Sequence, residues 1–212
     1  MTLGKSLRSM AFGMLLVCIA SLATARAGEK SDVEDIRGFR VDFHLVGPKQ
    51  KERVLPSLYH QIEIVDSVHL PEAVSSFFHT IPLVVDPALT KMNGEYARMG
   101  DRWVVHVKPA DIPGDRAILL HELLHAYQHQ VLKEPTPPVG RAYQQALRPG
   151  TYPDDFKGAY FLSNGREFFA VIGEIYLDGK TFRPPFTCSA VQKAQPQFIE
   201  YLASLFGPHD CR

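Results

Sequence analysis

Alternating and β-branched apolar positions dominate the first half of the chain and predict short strands. The strand segments expected from these patterns are 39–46, 62–68, 81–85, 96–99 and 103–107. The last two flank Gly100-Asp101, a turn signal that predicts a β-hairpin. Short helices are expected at 49–59, where Pro56 interrupts the pattern, and at 71–79.

The second half of the chain changes to apolar positions with a helical period. Helices are predicted at 115–133, around the apolar run 118–132, and at 165–177 and 189–206. Asp115 is expected to cap the first of them, and the proline-rich stretch 134–157 is expected to be a long loop at the rim of a cleft. Strands first and helices later predict an α+β fold, in which a small N-terminal sheet packs on the 118–132 helix and a mostly helical part follows.

The N-terminal 27 residues have the pattern of a secretory signal peptide. Lys5 and Arg8 precede an apolar stretch, and Ala25-Arg26-Ala27 forms an A-x-A cleavage site. The apolar stretch is shorter than the about 20 residues that span a bilayer, which favours cleavage over an uncleaved membrane anchor. We expect residues 28–212 to form one exported domain, periplasmic or extracellular, without a stable membrane anchor.

The charge balance excludes a strongly basic protein. The chain has 23 basic and 23 acidic residues, and the leader takes away three of the basic ones, Lys5, Arg8 and Arg26. A mature chain with a slight acidic excess gives no reason to expect nucleic acid or an acidic membrane as a partner.

Cys188 and Cys211 are the two cysteines left after the leader, and an exported protein can join them in a disulfide. A straight helix across 189–206 would hold the two cysteines too far apart. Pro196 could break that helix, because proline lacks the N–H and clashes with the preceding turn. Both the bonded and the free state therefore stay open.

His121-Glu122-Leu123-Leu124-His125 is an H-E-x-x-H motif within the 118–132 helix. Residues four apart lie on the same helix face, so His121 and His125 can bind one zinc ion. Glu122 then lies beside the attacking water and can act as a general base. The motif alone is weak evidence, and the apolar helix around it and the leader strengthen it.

A catalytic zinc site needs a third protein ligand. His129 lies four residues after His125, but a straight helix cannot easily wrap three residues around one ion. Glu167, near the start of the next helix, is the better candidate. Asn164 and Glu167 also fit a capping box, and spacing alone does not decide between these two roles.

The segment Asn164-Gly165-Arg166-Glu167-Phe168-Phe169-Ala170, which comes after an H-E-x-x-H helix, resembles a motif of the gluzincin zinc metallopeptidases. The similarity is to the anthrax lethal factor catalytic domain and to MtfA-like bacterial peptidases, over about residues 115–206. The resemblance implies a zincin-like fold with Glu167 as the third zinc ligand. It also implies that Tyr160, seven residues before Glu167, assists catalysis.

The chain departs from the lethal factor pattern at one position. Those domains carry an acidic residue four positions after the third ligand, where this chain has Val171. Glu174, seven positions after Glu167, is nearer the MtfA-like pattern. Glu174 could orient a ligand histidine or form an ordinary surface ion pair.

Together these features predict an exported zinc metalloendopeptidase with one zinc ion per chain, held by His121, His125 and Glu167. Glu122 is expected to be the general base, and Tyr160 to donate a hydrogen bond to the oxyanion. The expected partner is a protein or peptide substrate, and the sequence leaves its cleavage preference and the oligomeric state open. Two alternatives remain, a non-catalytic zinc-binding interaction module and a hydrolase of cell-wall amides.

Overall fold

Among the described residues, two strands, two helices and three further strands come first, and only helices follow them. The computed structural model describes residues 32–133 and 136–211, and the signal-peptide prediction lies outside them. The strands are β1 (Val33–Ile36), β2 (Phe39–Asp42), β3 (Leu83–Val85), β4 (Gly94–Met99) and β5 (Arg102–Val107). The α-helices are α1 (Pro48–Ser67), α2 (Glu72–Thr80), α3 (Ile118–Tyr127), α4 (Pro137–Ala146), α5 (Gly165–Asp178), α6 (Cys188–Ala194) and α7 (Pro196–Phe206). A π-helical turn, Gln128–Leu132, continues α3, and two 3-10 turns, Asp154–Phe156 and Tyr160–Leu162, precede α5.

The five strands form one mixed sheet in the order β1-β2-β3-β5-β4. The outer pairs, β1 with β2 and β4 with β5, are antiparallel, whereas β3 is parallel to both of its neighbours. The predicted hairpin is therefore confirmed, and its first strand, β4, forms one edge of the sheet. The sheet and the surrounding helices confirm the predicted α+β class.

Helices α3 and α5 lie at the centre of the fold. All residues of 119–127 in α3 and of 168–177 in α5 are buried, as in helices that are covered on every side. α3 contacts β4 and β5 as well as α5. Gly173 allows α3 and α5 to approach closely, because a Cβ at that position would lie 3.1 Å from Leu124 Cδ1. The helix with the H-E-x-x-H motif is thus packed directly on the helix that carries Glu167.

The predictions for the first helical region are wrong in two respects. α1 continues through Pro56 and includes most of the segment predicted as a strand at 62–68. Its residues Val54, Leu58, Ile62 and Val65 are buried, and their spacing of four, four and three residues is that of one helix face. Packing of this face on the core overrides the β-propensity of the isoleucine and valine residues.

The proline-rich region after α3 is not a continuous loop. It contains α4, in which Val139, Ala142 and Ala146 are buried at helical spacing. Asp115 is not the cap of α3, which begins after Ala117. Both differences arise because tertiary packing, and not the local turn signals, fixes where these helices begin.

The predicted 189–206 helix is two helices, α6 and α7, which meet at Gln195 and Pro196. The break at the proline brings Cys188 and Cys211 together in a disulfide, with their Cα atoms 4.8 Å apart.

Within the described ranges, the structure contains no helix with the length and apolar character needed to cross a membrane.

Candidate metal centre

Three side chains from α3 and α5 direct ligand atoms at one another. A nitrogen of His121, a nitrogen of His125 and a carboxylate oxygen of Glu167 all lie within 4.8 Å of one another. His121 Nε2 is 3.3 Å from Glu167 Oε2, and His125 Nε2 is 3.4 Å from Glu167 Oε1. Two imidazoles and one carboxylate are ligands that zinc takes, and three protein ligands leave one position of a tetrahedral ion open. The structure thus brings together the three residues that were predicted from the sequence as ligands.

Asn164 fixes the position of Glu167 at the start of α5. Its side-chain oxygen accepts hydrogen bonds from the backbone N–H groups of Arg166, at 2.9 Å, and Glu167, at 3.0 Å, which makes Asn164 an N-cap. The Glu167 carboxylate does not close a capping box and faces the two histidines. Its Oε2 is buried and accepts no hydrogen bond of good geometry from the described residues, although it forms an ion-pair contact with His121 Nε2. A bound cation would satisfy that oxygen, so the donor set fits a metal ion.

The charges in this cluster compensate one another. Burial by itself raises the pKa of Glu167, but the imidazoles of His121 and His125 outweigh burial and hold that pKa well below its usual value. Burial by itself lowers the pKa of His121, and Glu167 and Glu174 outweigh burial and raise it to about 9. The carboxylates therefore favour the protonated form of His121, and a metal ion that binds there must compete with a proton for the imidazole.

Glu174 is the buried partner of His121. The residue is 2% exposed, and its Oε2 lies 3.3 Å from His121 Nδ1. Its Oε1 accepts a hydrogen bond from Thr181 Oγ1 at 3.0 Å, and Arg183 Nη2 lies 3.8 Å from Oε2. A carboxylate in this place fixes the tautomer and the orientation of a ligand histidine. The alternative of an ordinary surface ion pair is wrong, because Glu174 is not at the surface.

Glu122 lies between α3 and the edge strand β4. Its Oε2 accepts a hydrogen bond from the backbone N–H of Tyr96 at 2.8 Å, and the residue is 8% exposed. Gly94 permits this close approach, because a Cβ there would lie 2.7 Å from Ile118 Cγ2 and 3.1 Å from Glu122 Cγ. The outer edge of β4, which has no strand partner in the described sheet, therefore faces Glu122 and borders the cavity that the three ligand candidates line.

Tyr160 lies in the second 3-10 turn, just before α5. Its ring centroid is 6.4 Å from that of His121, and the residue is 47% exposed. Burial of the hydroxyl raises the pKa of Tyr160, and Glu167 raises it further. The hydroxyl therefore keeps its proton at neutral pH and can donate a hydrogen bond into the site.

His129 lies outside the cluster of ligand atoms. Its Nδ1 is 3.0 Å from the Tyr96 hydroxyl, and its ring is 4.4 Å from that of Trp103. His129 is thus half-buried in an aromatic group formed with the β4–β5 hairpin.

The cluster opens into a cavity of about 480 Å³. His121, Glu122, His125, Tyr160 and Glu167 line it, together with residues of β4. Three further lining residues, Arg116, Phe182 and Arg183, lie in the connections before α3 and after α5. No motif or hydrophobic period marks these three positions in the sequence, because irregular connections have no period.

Comparison with known proteins does not assign a family to this chain. No protein-family model, no curated protein and no solved structure matches it. The function must therefore be inferred from the geometry of the site and from the motifs that carry it.

Proposed function

We propose that this chain is an exported zinc-dependent metallopeptidase of the gluzincin kind, with a zincin-like arrangement of its sheet and its two central helices. The observation that carries the proposal is the convergence of ligand atoms from His121, His125 and Glu167, with Glu122 in the same cavity. A site with three protein ligands and one open position is typical of catalytic zinc, whereas structural zinc has four protein ligands.

Glu122 is the general base in this proposal. When bound, zinc would supply a Lewis acid that makes a water molecule more acidic and polarises the substrate carbonyl. The hydrogen bond from the Tyr96 N–H holds one carboxylate oxygen of Glu122 in place. The second oxygen is left to accept the proton of the attacking water and to return it to the leaving amine.

Tyr160 stabilises the negative charge that develops on the substrate oxygen. It keeps its proton, and its ring lies beside that of His121 at the cavity wall. A donor placed where charge develops contributes more in the transition state than in the ground state, and its loss costs on the order of 100-fold in rate.

The edge strand β4 favours a peptide over other amides as the substrate. Its outer edge borders the metal cluster and the Glu122 carboxylate. An extended peptide can add to such an edge through main-chain hydrogen bonds, which align it whatever its side chains. A peptide bound along this edge would place a peptide bond next to the three proposed ligands and Glu122.

The test compares single-site variants of the mature chain, residues 28–212, by metal analysis and by mass spectrometry of a digested peptide library. We expect about one zinc per chain in the wild type. We expect Glu167→Ala to lose most of the metal, and Glu122→Gln to keep it but lose hydrolysis. Glu200→Gln, an exposed carboxylate on α7, is the matched control and should change neither quantity.

Each outcome bears on a separate part of the proposal. Full zinc occupancy in Glu167→Ala would remove Glu167 from the ligand set. Unchanged turnover in Glu122→Gln would exclude its role as the base. Zinc binding by a wild type that cleaves no peptide of the library would contradict the peptidase and favour the interaction module.

A further inference from the structure

One wall of the cavity is a stack of arginine and aromatic side chains. The guanidinium carbon of Arg116 lies 4.1 Å from the ring centroid of Phe182. The guanidinium carbon of Arg183 lies 5.1 Å from the same ring and 4.3 Å from the Tyr160 ring. These four residues, which we call the arginine wall, line the cavity together with the metal ligands. The stack places two fixed positive charges beside the reacting centre.

The two arginines differ in how their charges are compensated. Arg183 lies 3.8 Å from the buried carboxylate of Glu174. Arg116 has no acidic partner within the described ranges, and its buried Nε lacks a hydrogen-bond acceptor there. A partly buried guanidinium without a counterion is unfavourable, and a carboxylate is the ligand that matches it best. Among the described residues, Arg116 is therefore a cation without an acidic partner at the wall of the cleft.

The acidic residues that line the cavity among the described residues do not serve as a counterion for Arg116. Glu122 and Glu167 belong to the catalytic cluster, where Tyr96 and the two histidines hold them. Glu95, the third acidic residue that lines the cavity, is exposed on β4 and forms no ion pair with Arg116.

The loop after α5 holds the Phe182 and Arg183 part of the arginine wall in a fixed shape. Lys180 and Thr187 form a β-bridge across its base. Thr181 donates its backbone N–H to the Phe186 carbonyl at 2.8 Å and its hydroxyl to Glu174 at 3.0 Å. A site that is already ordered loses little conformational entropy when it binds a ligand. The wall is therefore suited to discriminate among substrates.

We propose that Arg116, supported by Phe182 and Arg183, recognises a carboxylate group of the peptide substrate. The carboxylate is either the side chain of an aspartate or glutamate or the C-terminus of the peptide. The inference rests on the proposed function for the placement of a peptide in this cavity. The recognition chemistry depends on the arginine wall alone.

The test measures peptide binding separately from cleavage. The probe is a set of fluorescently labelled peptides that differ only in aspartate against asparagine, glutamate against glutamine, or a free against an amidated C-terminus. Binding is measured by fluorescence anisotropy to zinc-loaded Glu122→Gln, which cannot turn over if the proposed function holds. We expect at least one charged peptide to bind about 10- to 100-fold more tightly than its amide, the range for a charge-assisted hydrogen bond.

Variants in the same background then assign the preference to a residue. Arg116→Gln should abolish it, and Arg116→Lys should keep part of it, because lysine retains the charge but not the planar fork. Arg148→Gln removes an exposed arginine that is distant in sequence from Arg116, and it should leave the preference unchanged. Circular dichroism shows whether each variant is folded. Arg116→Lys serves as the second variant, so that loss of recognition can be separated from loss of folding.

The outcomes distinguish the two sources of the carboxylate and the two proposals. A preference for internal acidic residues or for a free C-terminus supports the inference and names the source. Equal binding of charged and amide peptides, or a preference that survives Arg116→Gln, overturns it. If the preference is present but the wild type cleaves none of these peptides, the peptidase proposal fails while recognition by Arg116 stands.

Discussion

Replacing Glu174 with glutamine tests whether a carboxylate outside the candidate ligand set strengthens zinc binding at the proposed site. Glu174 divides its two oxygens between the Thr181 hydroxyl, at 3.0 Å, and His121 Nδ1, at 3.3 Å. Glutamine has nearly the same shape but only one acceptor oxygen. When that oxygen faces His121, the Thr181 hydroxyl must accept a hydrogen bond where it now donates one, and Arg183 loses its only anion within the described ranges.

We expect the affinity for zinc to fall about 10- to 100-fold in Glu174→Gln, the usual effect of losing such a carboxylate behind a ligand histidine. This corresponds to about 1.4 to 2.7 kcal/mol of binding free energy. The neutral amide binds the Nδ1–H of His121 less strongly, so the imidazole is a weaker base towards the metal. The near-complete burial of Glu174, at 2% exposure, keeps solvent from replacing the lost charge.

Competition with a fluorescent zinc chelator measures this affinity. Thr181→Val is the matched control, because it removes the hydrogen bond to Oε1 and leaves the carboxylate next to His121. A much smaller loss is expected there. Equal affinities in Glu174→Gln and the wild type, or equal losses in the two variants, would show that Glu174 does not act through His121.

Three further variants test other parts of the structure. Gly94→Ala should lower hydrolysis and melting temperature together, because a Cβ there lies 2.7 Å from a methyl group of α3; an unchanged rate would show that β4 can move without cost. Replacing Cys188 and Cys211 with serine should lower the free energy of unfolding by about 3 kcal/mol, as expected for a loop of this length whose ends are 23 residues apart; urea titration measures it. Burial lowers the pKa of His209 below its ordinary 6.5. The stability that its neutral form provides is present above pH 6.5 and lost as the pH falls. The free energy of unfolding of His209→Asn should therefore change less between pH 7 and 5 than that of the wild type. An equal dependence on pH in both proteins would contradict this.

The ligand candidates could be predicted because each depends on a pattern within one helix. His121 and His125 share a helix face by spacing alone, and Asn164 caps the helix on which Glu167 lies three residues later. Spacing could not decide whether Glu167 completes a capping box or faces the histidines. That depends on how α3 and α5 pack, which only the tertiary structure shows.

The errors in the fold prediction have the same origin, which is that tertiary packing is not visible in local sequence patterns. The run from Ile62 to Val65 has strand propensity, and it is helical because Val54, Leu58 and Ile62 bury one face of α1. Arg116 and Arg183 could not have been found from the sequence. They lie in connections on either side of the two central helices, and their contact through Phe182 joins segments that are distant along the chain.

The close approach of α3 and α5 at Gly173 and Leu124 has a consequence for which ions the proposed site could hold. Gly173 lies six residues after Glu167 on α5, about 9 Å along the helix axis. The lack of a side chain at Gly173 sets the separation of the two helices, because a Cβ there would press on Leu124 at 3.1 Å. That separation in turn sets the span between the Glu167 carboxylate and the two imidazoles. In the proposed metal site, the ionic radius that fits would thus depend partly on the apolar interior, at a residue that is not a ligand candidate.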